Sequence, residues 1–170
     1  MFEDEPEKQK DNIKSFSIPH SEDPDSKWFK VENFLLKELH SNLKSYVQNM
    51  NKPYQTEFNN GTDGSVFGKN SKLQAGNFIT QKHFKNTGKS THQNAFELDK
   101  DSKSHRVITY LWYLNDVDEG GETEFTKTLK ITPEEGKLIL FPASWCFLYK
   151  NKVPISSSKY VITGWFYLTA

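Results

Sequence analysis

The chain has 170 residues, with 22 Lys+Arg balanced by 22 Asp+Glu. That length suits one domain plus a tail, and zero net charge argues against bulk attraction to nucleic acid or to an anionic membrane. Arg106 is the one arginine, which nearly excludes bidentate arginine reading of phosphate or guanine, and the lone Cys146 excludes an intramolecular disulfide or a cysteine-based zinc site.

The first 27 residues are rich in Glu, Asp, Lys, Ser and Pro and poor in apolar side chains. Such a segment buries too little surface to offset its ordering entropy. It reads as a flexible arm, with residues 28–170 as the folded domain. Ile13, Phe16 and Ile18 offer one edge strand ahead of Pro19. The start of the chain lacks the basic and apolar regions of a signal peptide, and no apolar run reaches the ~18 residues of a membrane span. The expectation is a soluble intracellular protein.

Val31 to Met50 carries Phe34, Leu35, Leu36, Leu39, Leu43, Tyr46 and Val47 at helical spacing, which predicts an amphipathic helix packed on a sheet. Asn33 is the expected N-cap, and Pro53 stops the pattern. Asn59 to Gly76 reads as a loop. Strands are then expected at Phe78 to Phe84, Arg106 to Leu114, Glu122 to Phe125, Lys137 to Phe141, Trp145 to Tyr149 and Tyr160 to Leu168. Gly120 and Gly121 suit a sharp turn or bulge. One helix followed by many short strands predicts a mainly β fold with helical support (α+β), a sandwich or barrel. Aromatics make up 14% of the chain, so they must supply much of its core.

The run Arg106-Val-Ile-Thr-Tyr-Leu-Trp-Tyr-Leu-Asn-Asp-Val-Asp-Glu-Gly-Gly-Glu-Thr-Glu-Phe125 resembles the core of the prolyl 4-hydroxylase-like Fe(II)/2-oxoglutarate oxygenases. The likeness continues through Ile131 to Pro142 and ends at Lys159-Tyr-Val-Ile-Thr-Gly-Trp165. It covers about the C-terminal half. It implies a double-stranded β-helix, the jelly-roll or cupin-like fold. It also implies Fe(II) held by two imidazoles and a carboxylate, with 2-oxoglutarate as co-substrate.

Carried over residue by residue, the metal set is incomplete. One register of the proximal His-x-Asp/Glu pair falls on Ala95-Phe96-Glu97, which keeps the acid and loses the imidazole. A second falls on His92-Gln-Asn94, which keeps the imidazole and exchanges the carboxylate for an amide. A third joins His92 to Glu97 through irregular backbone. The distal His position falls on Tyr149, and no His follows His105. A phenol with a pKa near ~10 is a poor Fe(II) ligand at neutral pH. The metal candidates are therefore His92 and Glu97.

Lys159 stands at the family's basic residue for the far carboxylate of 2-oxoglutarate. Tyr110 and Tyr113 are candidates to donate a phenol hydrogen bond to a carboxylate. They lie an odd number apart on one strand and so face opposite sides. Lys159 and Tyr110 are the cofactor-binding candidates. Arg106 is expected to pair with Glu97 or Asp99.

The acidic run Asp116, Asp118, Glu119 and Glu122 lacks calcium-loop spacing and reads as a solvated turn. His20, His40 and His83 are scattered and form no metal spacing. Cys146, in an apolar run with no base beside it, reads as a buried structural thiol. No residue is assigned as catalytic.

Two functions follow from the resemblance. One is a catalytically silent binding or assembly module with a protein or peptide partner and no metal cofactor, or, as a variant of it, a sensor of 2-oxoglutarate or another dicarboxylate. The other is an active dioxygenase using Fe(II) and 2-oxoglutarate at a rearranged site to hydroxylate a peptide or protein side chain.

Overall fold

The computed structural model describes residues 13–51, 72–88, 91–93, 105–125 and 128–169. Two antiparallel sheets face each other, and one helix covers the outside of the larger. The larger sheet has the order β1-β3-β10-β5-β8, with β2 also paired to β10. Its strands are β1 (Ile13–Ser17), β2 (Lys72–Ala75), β3 (Ile79–His83), β5 (His105–Tyr113), β8 (Leu138–Pro142) and β10 (Lys159–Thr169). The smaller sheet runs β4-β9-β6-β7, from β4 (Thr91–Gln93), β9 (Tyr149–Asn151), β6 (Thr123–Glu124) and β7 (Lys130–Ile131).

Strands β5 and β10 form the centre because both of their faces are apolar. Ile108, Tyr110, Ile162 and Phe166 point outward and meet Leu35, Leu39 and Leu43 of helix α1 (Lys27–Asn51). Leu111, Tyr113 and Val161 point inward, toward the smaller sheet. Leu39 is fully buried, so Leu39→Ala would remove about 2–5 kcal/mol. Helix α1 begins four residues earlier than its apolar periodicity suggests. Ser26 is the cap: its Oγ accepts from the Trp28 amide at 3.2 Å. Asn33 lies inside the helix, and its side-chain amide donates to the Phe29 carbonyl.

The edge strand expected around Phe16 is β1, paired with β3 from Ile13↔His83 to Ser17↔Ile79. It lies within the segment 1–27 read as an arm, and it anchors itself by burying Ile13 and Ile18. Residues 1–12 lie outside the described residues. The loop expected over Asn59 to Gly76 contains β2, which pairs with the end of β10. The strand expected at Trp145 to Tyr149 is mostly a turn: only Tyr149 belongs to β9, and Trp145 and Cys146 are exposed. Cys146 is therefore no buried thiol; its Sγ lies 2.7 Å from Ser144 Oγ.

Two glycines are dictated by close approach. At Gly120, φ is +74°, and an added Cβ would lie 2.4 Å from the Val153 carbonyl. At Gly164, in β10, an added Cβ would lie 2.1 Å from the Tyr110 hydroxyl.

Candidate functional site

The inner face of the larger sheet carries two side-chain groupings, and strand register explains both. On β10, alternation places Lys159, Val161, Thr163 and Trp165 on one face. Across β10 and β5, Val161 pairs with Tyr113 and Thr163 with Leu111. Across β10 and β3, Lys159 pairs with His83. On β9, Tyr149 and Asn151 are buried while Lys150 between them is half-buried, so both turn toward the larger sheet.

The first grouping is polar. Lys159 is fully buried. Its Nζ donates to the Gly121 carbonyl at 2.8 Å and to Asn151 Oδ1 at 3.0 Å. Thr123 Oγ1 donates to the same Asn151 oxygen at 3.4 Å. It accepts in turn from the Tyr113 hydroxyl at 2.7 Å. The double-glycine turn thus does more than reverse the chain, since Gly121, also at φ +74°, supplies one wall of the ammonium cage. His83 is 5% exposed, and its Nε2 is buried without a hydrogen-bond partner.

Burial dominates the electrostatics here. It brings the Lys159 ammonium down to about 7, against the pull of Glu122. Burial, with repulsion from Lys159, brings the His83 imidazole down to about 3. Burial pushes the Tyr113 phenol up to about 12, against its hydrogen bond to Thr123. The site at neutral pH therefore holds a neutral imidazole, a neutral phenol and an ammonium poised to lose its proton.

The second grouping is aromatic. Tyr149, Phe141 and Ala143 are buried together with Phe125, Ile139 and Trp165. Tyr149 meets Phe141 edge-on at 5.1 Å between centroids and tilts against Phe125 at 5.9 Å. Burial, and then Tyr113, push its phenol above the ordinary tyrosine range. Arg106 stacks its guanidinium over Trp165 at 3.9 Å. Thr109 Oγ1 and Trp165 Nε1, on register-paired residues of β5 and β10, are buried without hydrogen-bond partners.

Of the sequence candidates, Lys159 and Tyr149 both face the interior. Tyr110 does not join them. It packs on Phe78, Trp112 and Phe166 beneath α1, on the opposite face of β5 from Tyr113. The phenol beside Lys159 is that of Tyr113, as strand parity requires. His92 pairs through its backbone with Lys150, while the positions opposite buried Tyr149 and Asn151 are Gln93 and Thr91. Ala95 and Glu97 lie outside the described residues, as does Asp99, so the pairing expected for Arg106 does too. Asn115, Asp116 and Glu119 form turn contacts, and Asp116 Oδ1 accepts from the Glu135 amide.

His83, Thr123 and Asn151 were not legible as site residues. A single His, Thr or Asn carries no spacing signal. Only the pairing of β3 with β10 and of β6 with β9 brings them to Lys159.

The described residues fit a carboxylate, while the metal candidate Glu97 and the side chain of His92 lie outside what is described. Lys159, Tyr113 and Thr123 offer a cation and hydroxyls, and His83 offers an unpartnered nitrogen. For a metal, position 149 offers only a neutral phenol within an aromatic cluster. Among the described residues, no group of three or more His, Cys, Asp or Glu is placed to hold an ion.

Comparison with known proteins agrees with this architecture. No curated protein matches the sequence. The viral collagen prolyl hydroxylase of Paramecium Bursaria Chlorella virus-1, solved as a 2OG complex, is 15% identical. It superposes with a TM-score of 0.59 over 92% of this chain and 78% of its own. A prolyl hydroxylase from Trichoplax adhaerens, in complex with a hypoxia inducible factor peptide fragment, is 17% identical, with a TM-score of 0.50 over 91% of this chain and 62% of its own. A 2OG-Fe(II) oxygenase family oxidoreductase from Burkholderia pseudomallei is 11% identical, with a TM-score of 0.50 over 95% and 71%. These show a shared fold, the double-stranded β-helix. The model of the 2OG-Fe(II) oxygenase superfamily matches residues 79–167, from the start of β3 almost to the end of β10. With more than half of the chain matched, this protein belongs to the 2OG-Fe(II) oxygenase superfamily.

Proposed function

We propose that this protein is a catalytically silent member of its superfamily, a module that binds a small dicarboxylate and a protein or peptide partner. One observation carries the reading: the side chain at the distal metal-ligand position is Tyr149, a buried phenol held neutral among aromatic rings. A neutral phenol is a weak donor to Fe(II), and burial among rings opposes its ionisation. The carboxylate anchor, by contrast, persists in Lys159. When bound, 2-oxoglutarate would place its far carboxylate beside that ammonium, with Tyr113 and Thr123 orienting the surrounding donors.

A peptide partner finds support in the β8–β9 turn. Trp145, Phe147 and Leu148 are 76%, 40% and 50% exposed there, an apolar run of the kind that marks contact surfaces. The Trichoplax enzyme, of the same fold, is itself seen with a peptide.

The test is anaerobic titration with Fe(II) in the presence of 2-oxoglutarate. The expected result is no visible charge-transfer band and no Fe(II)-dependent rise in melting temperature, with 2-oxoglutarate binding retained by the metal-free protein. Succinate formation on a peptide would overturn the reading and favour an iron centre built on His92 and Glu97. Loss of that activity in His92→Ala and Glu97→Ala would then assign the ligands.

A further inference from the structure

His83 and Lys159 are directly opposed across β3 and β10, so their side chains leave the same face of the sheet. Opposed residues in an antiparallel pair have Cβ atoms about 4.5–5.5 Å apart. Lys159 uses two of its three N–H donors on Gly121 and Asn151, both neutral. Glu122 acts on it only from a distance. Among the described residues, this cation is buried without a contacting anion, and beside it the His83 Nε2 is buried without a hydrogen-bond partner. Buried polar groups and charges left in this state are costly, and a ligand that satisfies both removes the cost.

We propose that His83 Nε2 and Lys159 Nζ form a two-donor clamp for the distal carboxylate of 2-oxoglutarate or a similar short dicarboxylate, His83 serving as a neutral N–H donor. This deepens, and rests on, the reading of Lys159 as a carboxylate anchor. The surroundings favour it. Among the described residues, the other groups facing the pair are Tyr113 from β5, Thr123 from β6, Asn151 from β9 and Ile13 from β1, none of them charged at neutral pH, and Glu122 is the acid acting on it. A second cation next to Lys159 would be repelled, whereas a neutral imidazole donates a hydrogen bond without adding charge.

The test uses the full chain, metal-free, with calorimetric titration of 2-oxoglutarate and of 2-oxobutyrate, which lacks the distal carboxylate. His83→Phe is expected to weaken 2-oxoglutarate roughly 10- to 100-fold, the range of a hydrogen bond to a charged group. His83→Gln, which restores a donor, is expected to recover most of it. In protein labelled with ¹⁵N-histidine, the Nε2 resonance that disappears in His83→Gln should move on adding 2-oxoglutarate and not on adding 2-oxobutyrate. The resonance is read in the unsubstituted protein, so the inference stays testable if His83→Phe fails to fold. Unchanged affinity in His83→Phe would overturn the clamp, as would a resonance that ignores 2-oxoglutarate. If Lys159→Met abolishes binding while His83→Phe does not, only the clamp fails. If the unsubstituted protein takes up no 2-oxoglutarate, the anchor reading fails with it.

Discussion

The two groupings on the inner face stand within a few strands of each other and differ in kind. Around Lys159, polar groups are kept and linked, from Tyr113 through Thr123 and Asn151 to the ammonium. Around Tyr149, rings pack on rings, and burial keeps the phenol protonated. On the function proposed above, one scaffold keeps a receptor for carboxylate beside a position filled with aromatic side chains. The difference teaches that one buried sheet face can carry linked polar groups at one end and packed rings at the other. β5, β10 and α1 hold together through their own apolar faces, independently of either grouping.

The comparison breaks first at the double-glycine turn. Gly120→Ala would thrust a Cβ against the Val153 carbonyl at a positive φ. A loss of at least about 3 kcal/mol is expected in urea unfolding, with 2-oxoglutarate binding lost alongside. An unchanged midpoint would mean that the turn does not hold the polar grouping.

Acid should then expose the polar grouping selectively. His83 has a folded pKa of about 3 against an ordinary 6.5, so the unfolded chain takes up its proton first. The associated stability is fully present above pH 6.5 and is lost as pH falls toward 3, with a slope approaching about 1.4 kcal/mol per pH unit. His83→Phe should flatten that slope in denaturant titrations. Lys159 produces a second window. Its stability contribution is present above pH 10.5 and is lost as pH falls to about 7.

Lys159→Met should separate binding from folding. Affinity for 2-oxoglutarate is expected to fall about 100-fold. The melting temperature at pH 7 should hold, because a buried cation is replaced by a side chain of similar length that fits an apolar wall. A smaller effect is expected from Tyr113→Phe, which deletes the 2.7 Å bond to Thr123. About 1 kcal/mol of stability should go, read from thermal unfolding. Smallest of all, Tyr149→Phe should leave the thermal response to Mn(II) unaltered. A response that vanishes in this variant would make the phenol a ligand.

Much of this was legible in the sequence, for physical reasons. The apolar periods of β5, β10 and α1 are long, and the Gly-Gly turn and Lys159 sit within recognisable runs. Tyr149 could be placed by its distance from Phe141 and Pro142. What was hidden depends on pairing between distant segments. His83 looked like an isolated histidine until register set it across from Lys159. Tyr110 and Tyr113 could be split by parity, but not assigned to faces until α1 was seen to cover one of them. Short strands such as β2, β4 and β7 hold too few residues for a period to emerge. Cys146 misled because Trp145, Phe147 and Leu148 imitate a buried strand while lying on an exposed turn.

The contact between Gly164 and the Tyr110 ring carries an evolutionary corollary. The phenol occupies the volume that a side chain at position 164 would need, so the two residues divide one space between neighbouring strands. Relatives that enlarge position 164 should be found to shrink position 110 in compensation. A library randomised at both sites should return anticorrelated volumes among its folded survivors.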